Sequence, residues 1–244
     1  MESAKQENNS VMNKIDVLSY FKTNLYLMYK PELILDIDKI CDTYIKNAQK
    51  REEPAIREKN KKLVEAGLPE KDDFGVIYHS NMELLNEPKM EPFVNICSQS
   101  AYEILDSQGY DISGYTAFFT DFWVQEFSKN GGGSHRKHIH EDSHISGFYY
   151  LKCSENTSFP VFHDPKVGAL QISLPEKNIQ VATIASKAVH YEPTPGTFIF
   201  FNSYLPHEYL PVDGIDDFRF IHFNIQFIRN EILKAHTRSQ KKIE

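Results

Sequence analysis

From Pro31 to about Ala66, apolar residues recur at spacings of three and four, at Leu33, Ile34, Ile37, Ile40, Cys41, Tyr44 and Ile45. That period predicts a helix with one buried stripe. Glu91–Gln108 repeats it with Phe93, Ile96, Cys97, Ala101, Ile104 and Leu105 on one face. Between the two, Lys50–Asp73 mixes both signs of charge and is interrupted by Pro54 and Pro69, which predicts a solvated helix and loop. From Tyr115 onward the apolar residues are β-branched and aromatic, in short runs bounded by turn residues. Strands are expected over Ala117–Phe127, Ile145–Lys152, Pro160–His163, Gln171–Ser173, Val189–Glu192, Thr197–Phe201 and Phe218–Phe227. Val17–Leu27 reads as an opening strand or strand pair, and the polar Met1–Ser10 as disordered. Helices first and strands later predict a mostly β fold with helices packed on one outer face. One domain is expected over 17–235, with a helical support region at about 31–110 and a barrel core at about 115–228. A disordered start over 1–16 and a tail over 236–244 flank it.

Ser134–Tyr150 concentrates four of the ten histidines and runs directly into a strand-like segment. Side chains alternate faces along a strand, so His138, His140 and Asp142 are expected on one face and Ile139 and Glu141 on the other. Imidazoles and a carboxylate on one face suit a borderline divalent metal such as Fe(II). A solvated histidine-rich loop is the plainer alternative. Further on, Pro195-Gly196 and Asp213-Gly214 mark turns around two strands and a loop that carries His207, about 70 residues after His138; Arg219 follows a dozen residues later. Together the four points are far more specific than any one of them.

At these positions the chain resembles the double-stranded β-helix oxygenases that use Fe(II) and 2-oxoglutarate, and within them the group related to prolyl 4-hydroxylases. The resemblance is carried by Trp123, Gly132, His138, His140, Ser146, Gly147, Tyr149 and Tyr150, then by Pro193, Gly196, Phe201, His207, Arg219, Phe223 and Asn224. Phe159–Pro165 is similar to that group's strand ending in Asp-Pro. The likeness is good over about Phe118 to Phe227 and loose before it. It implies a mostly β jelly-roll, cupin-like barrel with flanking helices.

It also implies a metal held by a first histidine, a carboxylate two residues on, and a distal histidine. Here the carboxylate position holds His140. Three arrangements stay open: three histidine ligands, a shifted unit with Asp142 as the carboxylate, or an open position as in halogenating relatives. His138 and His207 rank first, His140 next, Asp142 as the alternative. The resemblance gives Arg219 the far carboxylate of 2-oxoglutarate, a role that suits a planar guanidinium. Tyr149 and Tyr150 point to opposite faces, so at most one borders the cosubstrate. Parity with His138 favours Tyr150 unless Ser146-Gly147 is a bulge. Asn224, on the same face as His222, is a candidate for substrate or metal-bound water. His135, His144, His163, His190, His222 and Trp123 are taken as structural, and Gly131–Gly133 as a flexible mouth.

At 41 % hydrophobic and 13 % aromatic, the 244 residues can build a core. A net charge of −7 argues against a nucleic-acid partner. Three widely spaced cysteines argue against a disulfide framework or zinc site, and no signal peptide or long apolar run is seen, so a cytoplasmic location without membrane attachment is expected. The function the resemblance implies is an Fe(II)- and 2-oxoglutarate-dependent dioxygenase, with O2 as co-reactant and ascorbate in a supporting role, that hydroxylates a peptidyl, prolyl or amino-acid substrate. The alternatives are a cupin-like three-histidine dioxygenase without 2-oxoglutarate, which leaves Arg219 without a task, and a metal-free binding module.

Overall fold

The computed structural model describes residues 21–172, 174–211, 214 and 216–233. Ten strands and two long helices follow in the order β1 (Tyr26–Tyr29), α1 (Ile34–Glu65), β2 (Ile77–His79), α2 (Glu91–Ser107), β3 (Tyr115–Phe127), β4 (His135–His138), β5 (Ile145–Lys152), β6 (Pro160–His163), β7 (Ala188–His190), β8 (Thr197–Asn202), β9 (His207–Tyr209) and β10 (Phe218–Arg229). They form two antiparallel sheets. The larger has the order β1-β8-β5-β10-β3-β2 and the smaller β4-β9-β6-β7. This is the mostly β jelly-roll with flanking helices that the sequence predicts.

Because strand side chains alternate, the larger sheet has two apolar faces. On one, Phe122, Val124, Tyr149, Phe198, Phe200, Ile221 and Phe223 pack against the stripes of α1 and α2. On the other, Phe127, Phe148, Tyr150, Phe201, Phe218 and Phe220 turn inward and join Phe162 and Tyr209 of the smaller sheet. Gly147 lies where these layers are tightest: a Cβ there would strike the Phe223 ring and come within 2.7 Å of the Ile199 carbonyl oxygen.

Some elements differ from expectation. Helix α1 runs through Pro54, which costs one backbone hydrogen bond but is flanked by good helix formers and by the Arg57–Glu53 and Lys62–Glu58 pairs. Gln171 ends a 3-10 turn over Val167–Gln171 instead of opening a strand, and Ser173 lies outside the described residues, as do 1–20 and 234–244. The strand β4 stops at His138, and Asp142 adopts a left-handed turn, φ +54°. The alternation expected to carry from His138 to Asp142 is therefore broken. Among the described residues no helix is long and apolar enough to cross a membrane. Cys41 and Cys97 are buried and Cys153 half-buried, all as free thiols.

Candidate metal centre

Three imidazoles converge between the sheets. His138 ends β4 and pairs across the ladder with His207, the first residue of β9. His140 lies past the end of β4, where its backbone N–H donates to the Ser203 carbonyl at 3.0 Å. One ring nitrogen from each of the three lies within 4.8 Å of the others. The space beside them is a cavity of about 40 Å³, also bounded by Trp123, Gln125, His135, Phe148, Tyr209, Phe220 and His222.

The rings are arranged as ligands need to be. His138 Nδ1 donates to the Arg136 carbonyl at 2.7 Å and His207 Nδ1 to the Leu205 carbonyl at 3.0 Å, so in both the Nε2 lone pair is left for a metal. Burial pushes His140 down to about 4 and His207 to about 3, with neighbouring imidazoles adding to the shift. Both are therefore neutral near pH 7, the state a ligand requires. By donor chemistry this set fits a divalent metal such as Fe(II).

The other expected site residues divide by face. Asn224 is at the site: its Nδ2 donates to His140 Nδ1 at 3.1 Å and to Asp121 Oδ2 at 2.7 Å, and its Oδ1 accepts from Ser146 Oγ at 2.6 Å. Tyr150 faces the interior, as parity predicts, and its hydroxyl meets that of Tyr209 at 2.6 Å. No bulge interrupts Ser146-Gly147; the register shift against β10 falls next to Tyr150, at Arg219/Phe220. Tyr149 is on the helix face, where its hydroxyl donates to the Lys30 carbonyl and its ring packs on Phe93.

Two assignments are corrected. Asp142 is exposed in its turn and is not part of the histidine group. Arg219 occupies the face of β10 opposite His222 and Asn224. Its guanidinium is committed to Glu126 through Nε (2.7 Å) and Nη2 (2.6 Å), and to Asp38 (2.7 Å) and Asp42 (2.6 Å) through Nη1. These carboxylates raise its already high pKa further against the opposing effect of burial. Among the described residues no lysine or arginine lines the cavity beside the histidines.

Two histidines expected to be structural, His135 and His222, border the site. His222 is buried between Trp123 (ring centroids 4.6 Å apart) and His140 (4.7 Å), and its Nε2 has no hydrogen-bond partner among the described residues. His135 takes a 2.8 Å contact from Gln125 Nε2, and burial pushes it down to about 4. Strand parity with Asn224 is the signal that reveals His222. His163 instead pairs with Glu208 at 2.8 Å, away from the cavity.

A sequence model of the family described as "Putative 2OG-Fe(II) oxygenase" matches residues 121–224. No curated protein matches the chain in sequence. Among solved structures, a prolyl-4-hydroxylase from Pseudomonas putida is similar at 12 % identity and a TM-score of 0.44, over 84 % of this chain and 93 % of that one. AviO1 from Streptomyces viridochromogenes is similar at 14 % identity and a TM-score of 0.46, over 84 % and 90 %. A prolyl hydroxylase from Trichoplax adhaerens, solved with a peptide fragment of the hypoxia inducible factor oxygen degradation domain, is similar at 13 % identity and 0.44, over 83 % and 84 %. The sequence match runs from the Asp121 that braces Asn224 to Asn224 itself and takes in all three converging histidines; over these residues the chain is similar to the 2OG-Fe(II) oxygenases.

Proposed function

We propose that this chain is a non-haem Fe(II)- and 2-oxoglutarate-dependent dioxygenase that hydroxylates a C–H bond of a peptidyl, prolyl or amino-acid substrate. The observation that carries the reading is the meeting of His138, His140 and His207 at the mouth of an aromatic-lined interior. Bound there, ferrous iron would supply the activation of O2 that such a hydroxylation needs. His138 and His207 would hold the metal through Nε2, while Asn224, braced by Asp121 and Ser146, holds the His140 ring in place. Phe148, Phe220 and Trp123 exclude bulk water from the same space. With Arg219 committed elsewhere, the far carboxylate of 2-oxoglutarate would meet the Gln125 amide and the Tyr209 hydroxyl on the cavity wall, the latter hydrogen-bonded to Tyr150 behind it. The substrate class rests on analogy with the prolyl hydroxylases.

A second reading, a three-histidine dioxygenase that uses no 2-oxoglutarate, is favoured by one observation. The cavity of about 40 Å³ has no cationic lining among the described residues, so in its present form it suits a metal with water-sized ligands and not a dicarboxylate. Anaerobic titration of the apoprotein with Fe(II), with and without 2-oxoglutarate, separates the two. A weak visible charge-transfer band that requires both components supports the first; tight Fe(II) binding with no band on adding 2-oxoglutarate rejects it in favour of the second.

A further inference from the structure

Each of the three imidazoles has its proton placed by an independent hydrogen bond, and the placements are not equivalent. A carbonyl oxygen can only accept, so His138 and His207 carry their protons on Nδ1. His140 is governed by Asn224. The Asn224 amide is 1 % exposed, and its orientation is decided by Asp121: with oxygen and nitrogen exchanged, an amide oxygen would face the Asp121 carboxylate at 2.7 Å, acceptor against acceptor. Asn224 Nδ2 therefore points its two hydrogens at Asp121 Oδ2 and His140 Nδ1. The amide oxygen is occupied by Ser146 Oγ, which also contacts Ser203 Oγ at 2.8 Å. With Nδ1 accepting, the proton of neutral His140 is on Nε2, 3.2 Å from His207 Nε2, to which it donates.

We propose that Asp121 and Asn224 form a relay that locks His140 in the Nε2–H tautomer, which makes it a conditional third arm of the metal centre; this rests on the metal reading above. In the metal-free protein His138 and His207 offer lone pairs and His140 offers a proton. For His140 to ligate through Nε2, that proton must pass to solvent while Nδ1 gains one. The new Nδ1–H would then face the Asn224 N–H, donor against donor. The relay thus weakens the third arm and favours a centre with two strong histidines and a position that stays open to exogenous ligands. Asp121 and Asn224 are positioning residues: they act through His140 and touch no reacting atom.

Two measurements on the full chain test this. In the 15N-labelled apoprotein at pH 7.5, long-range 1H–15N correlations read the tautomer of each ring, with His140→Ala identifying the signals. The expected pattern is Nε2–H for His140 and Nδ1–H for His138 and His207. The exchange variant Asp121→Asn/Asn224→Asp keeps the net charge but sets a carboxylate against Nδ1. His140 should then switch to Nδ1–H and Co(II) affinity should rise about tenfold or more, the scale on which outer partners tune metal ligands. An Nδ1–H signal from His140 in the parent overturns the relay, and so does a folded exchange variant that binds Co(II) no more tightly. If the exchange variant does not fold, the parent spectrum decides alone. Failure of the metal reading is separately visible, because neither protein would then take up Co(II), whichever tautomer His140 shows.

Discussion

Replacing Arg219 by alanine tests whether this residue supports the fold or the chemistry. The guanidinium is 4 % exposed and holds Glu126, itself 6 % exposed, by two charge-assisted bonds. Its other partners are less dependent on it: Asp38 keeps Lys152 at 3.3 Å, and the Asp42 side chain is 45 % exposed. The cost of truncation therefore concentrates on Glu126, which among the described residues keeps only a 3.5 Å contact from Gln49. Stranding one partner of a buried pair costs about 3–5 kcal/mol. At about 2–4 °C per kcal/mol for a domain of this size, the melting temperature should fall by roughly 6–20 °C. Urea denaturation, read as a change in midpoint at constant slope, checks the magnitude. Adding Glu126→Gln to an Arg219→Met variant should recover much of the loss, since no uncompensated charge then stays buried. Metal affinity should be unchanged. A stability loss under about 1 kcal/mol, with 2-oxoglutarate binding abolished, would refute this reasoning and return Arg219 to the cosubstrate.

Three further outcomes follow from the site and its core. His138→Ala or His207→Ala should abolish stoichiometric metal uptake by elemental analysis, Asp142→Ala should leave it unchanged, and His140→Ala should fall between them; metal retained by His207→Ala would remove the distal ligand. Acid stability should depend on metal: His135, His140 and His207 are held at about 4, 4 and 3, below their unfolded value near 6.5, so the unfolded chain takes up protons first. That stability is complete above about pH 6.5 and lost as pH falls toward 4, so apoprotein melting temperatures that stay flat across this window would contradict the burial of these rings. Gly147→Ala should cost about 1–3 kcal/mol by forcing Phe223 and the Ile199 carbonyl apart, and an unchanged thermal midpoint would show that the layers can yield.

Much of the fold is legible because its signals are long. The α1 and α2 stripes, and the strands β3, β5, β8 and β10, each carry enough residues for one periodicity to dominate. The strands β4 and β9 have four and three residues, too few for a pattern, and yet they carry His138 and His207. Their spacing and the family resemblance together mark those two. Strand alternation does not place His140: β4 ends at His138, and the contact of the His140 backbone with Ser203 brings it back to the site. That contact joins segments more than 60 residues apart and has no local signature.

The placement of Arg219 is legible in the chain itself. Arg219 and Asn224 are five positions apart on one strand, so alternation puts them on opposite faces, and the register shift against β3 begins only after Asn224. Both could not face the metal. Once Asn224 is placed inside, His222 must join it, Arg219 must face α1, and the carboxylates opposite it on that helix, Asp38 and Asp42, four residues apart on one helical face, become its partners. The same logic locates Asp121, but only after pairing is known, because it is the residue directly across the β3–β10 ladder from Asn224. A motif names residue types at intervals, whereas the period of the strand decides which of them can meet. Here the two disagree at one position, and the buried carboxylate of Glu126, which requires a cation beside it, explains why the arginine is kept on the helix side.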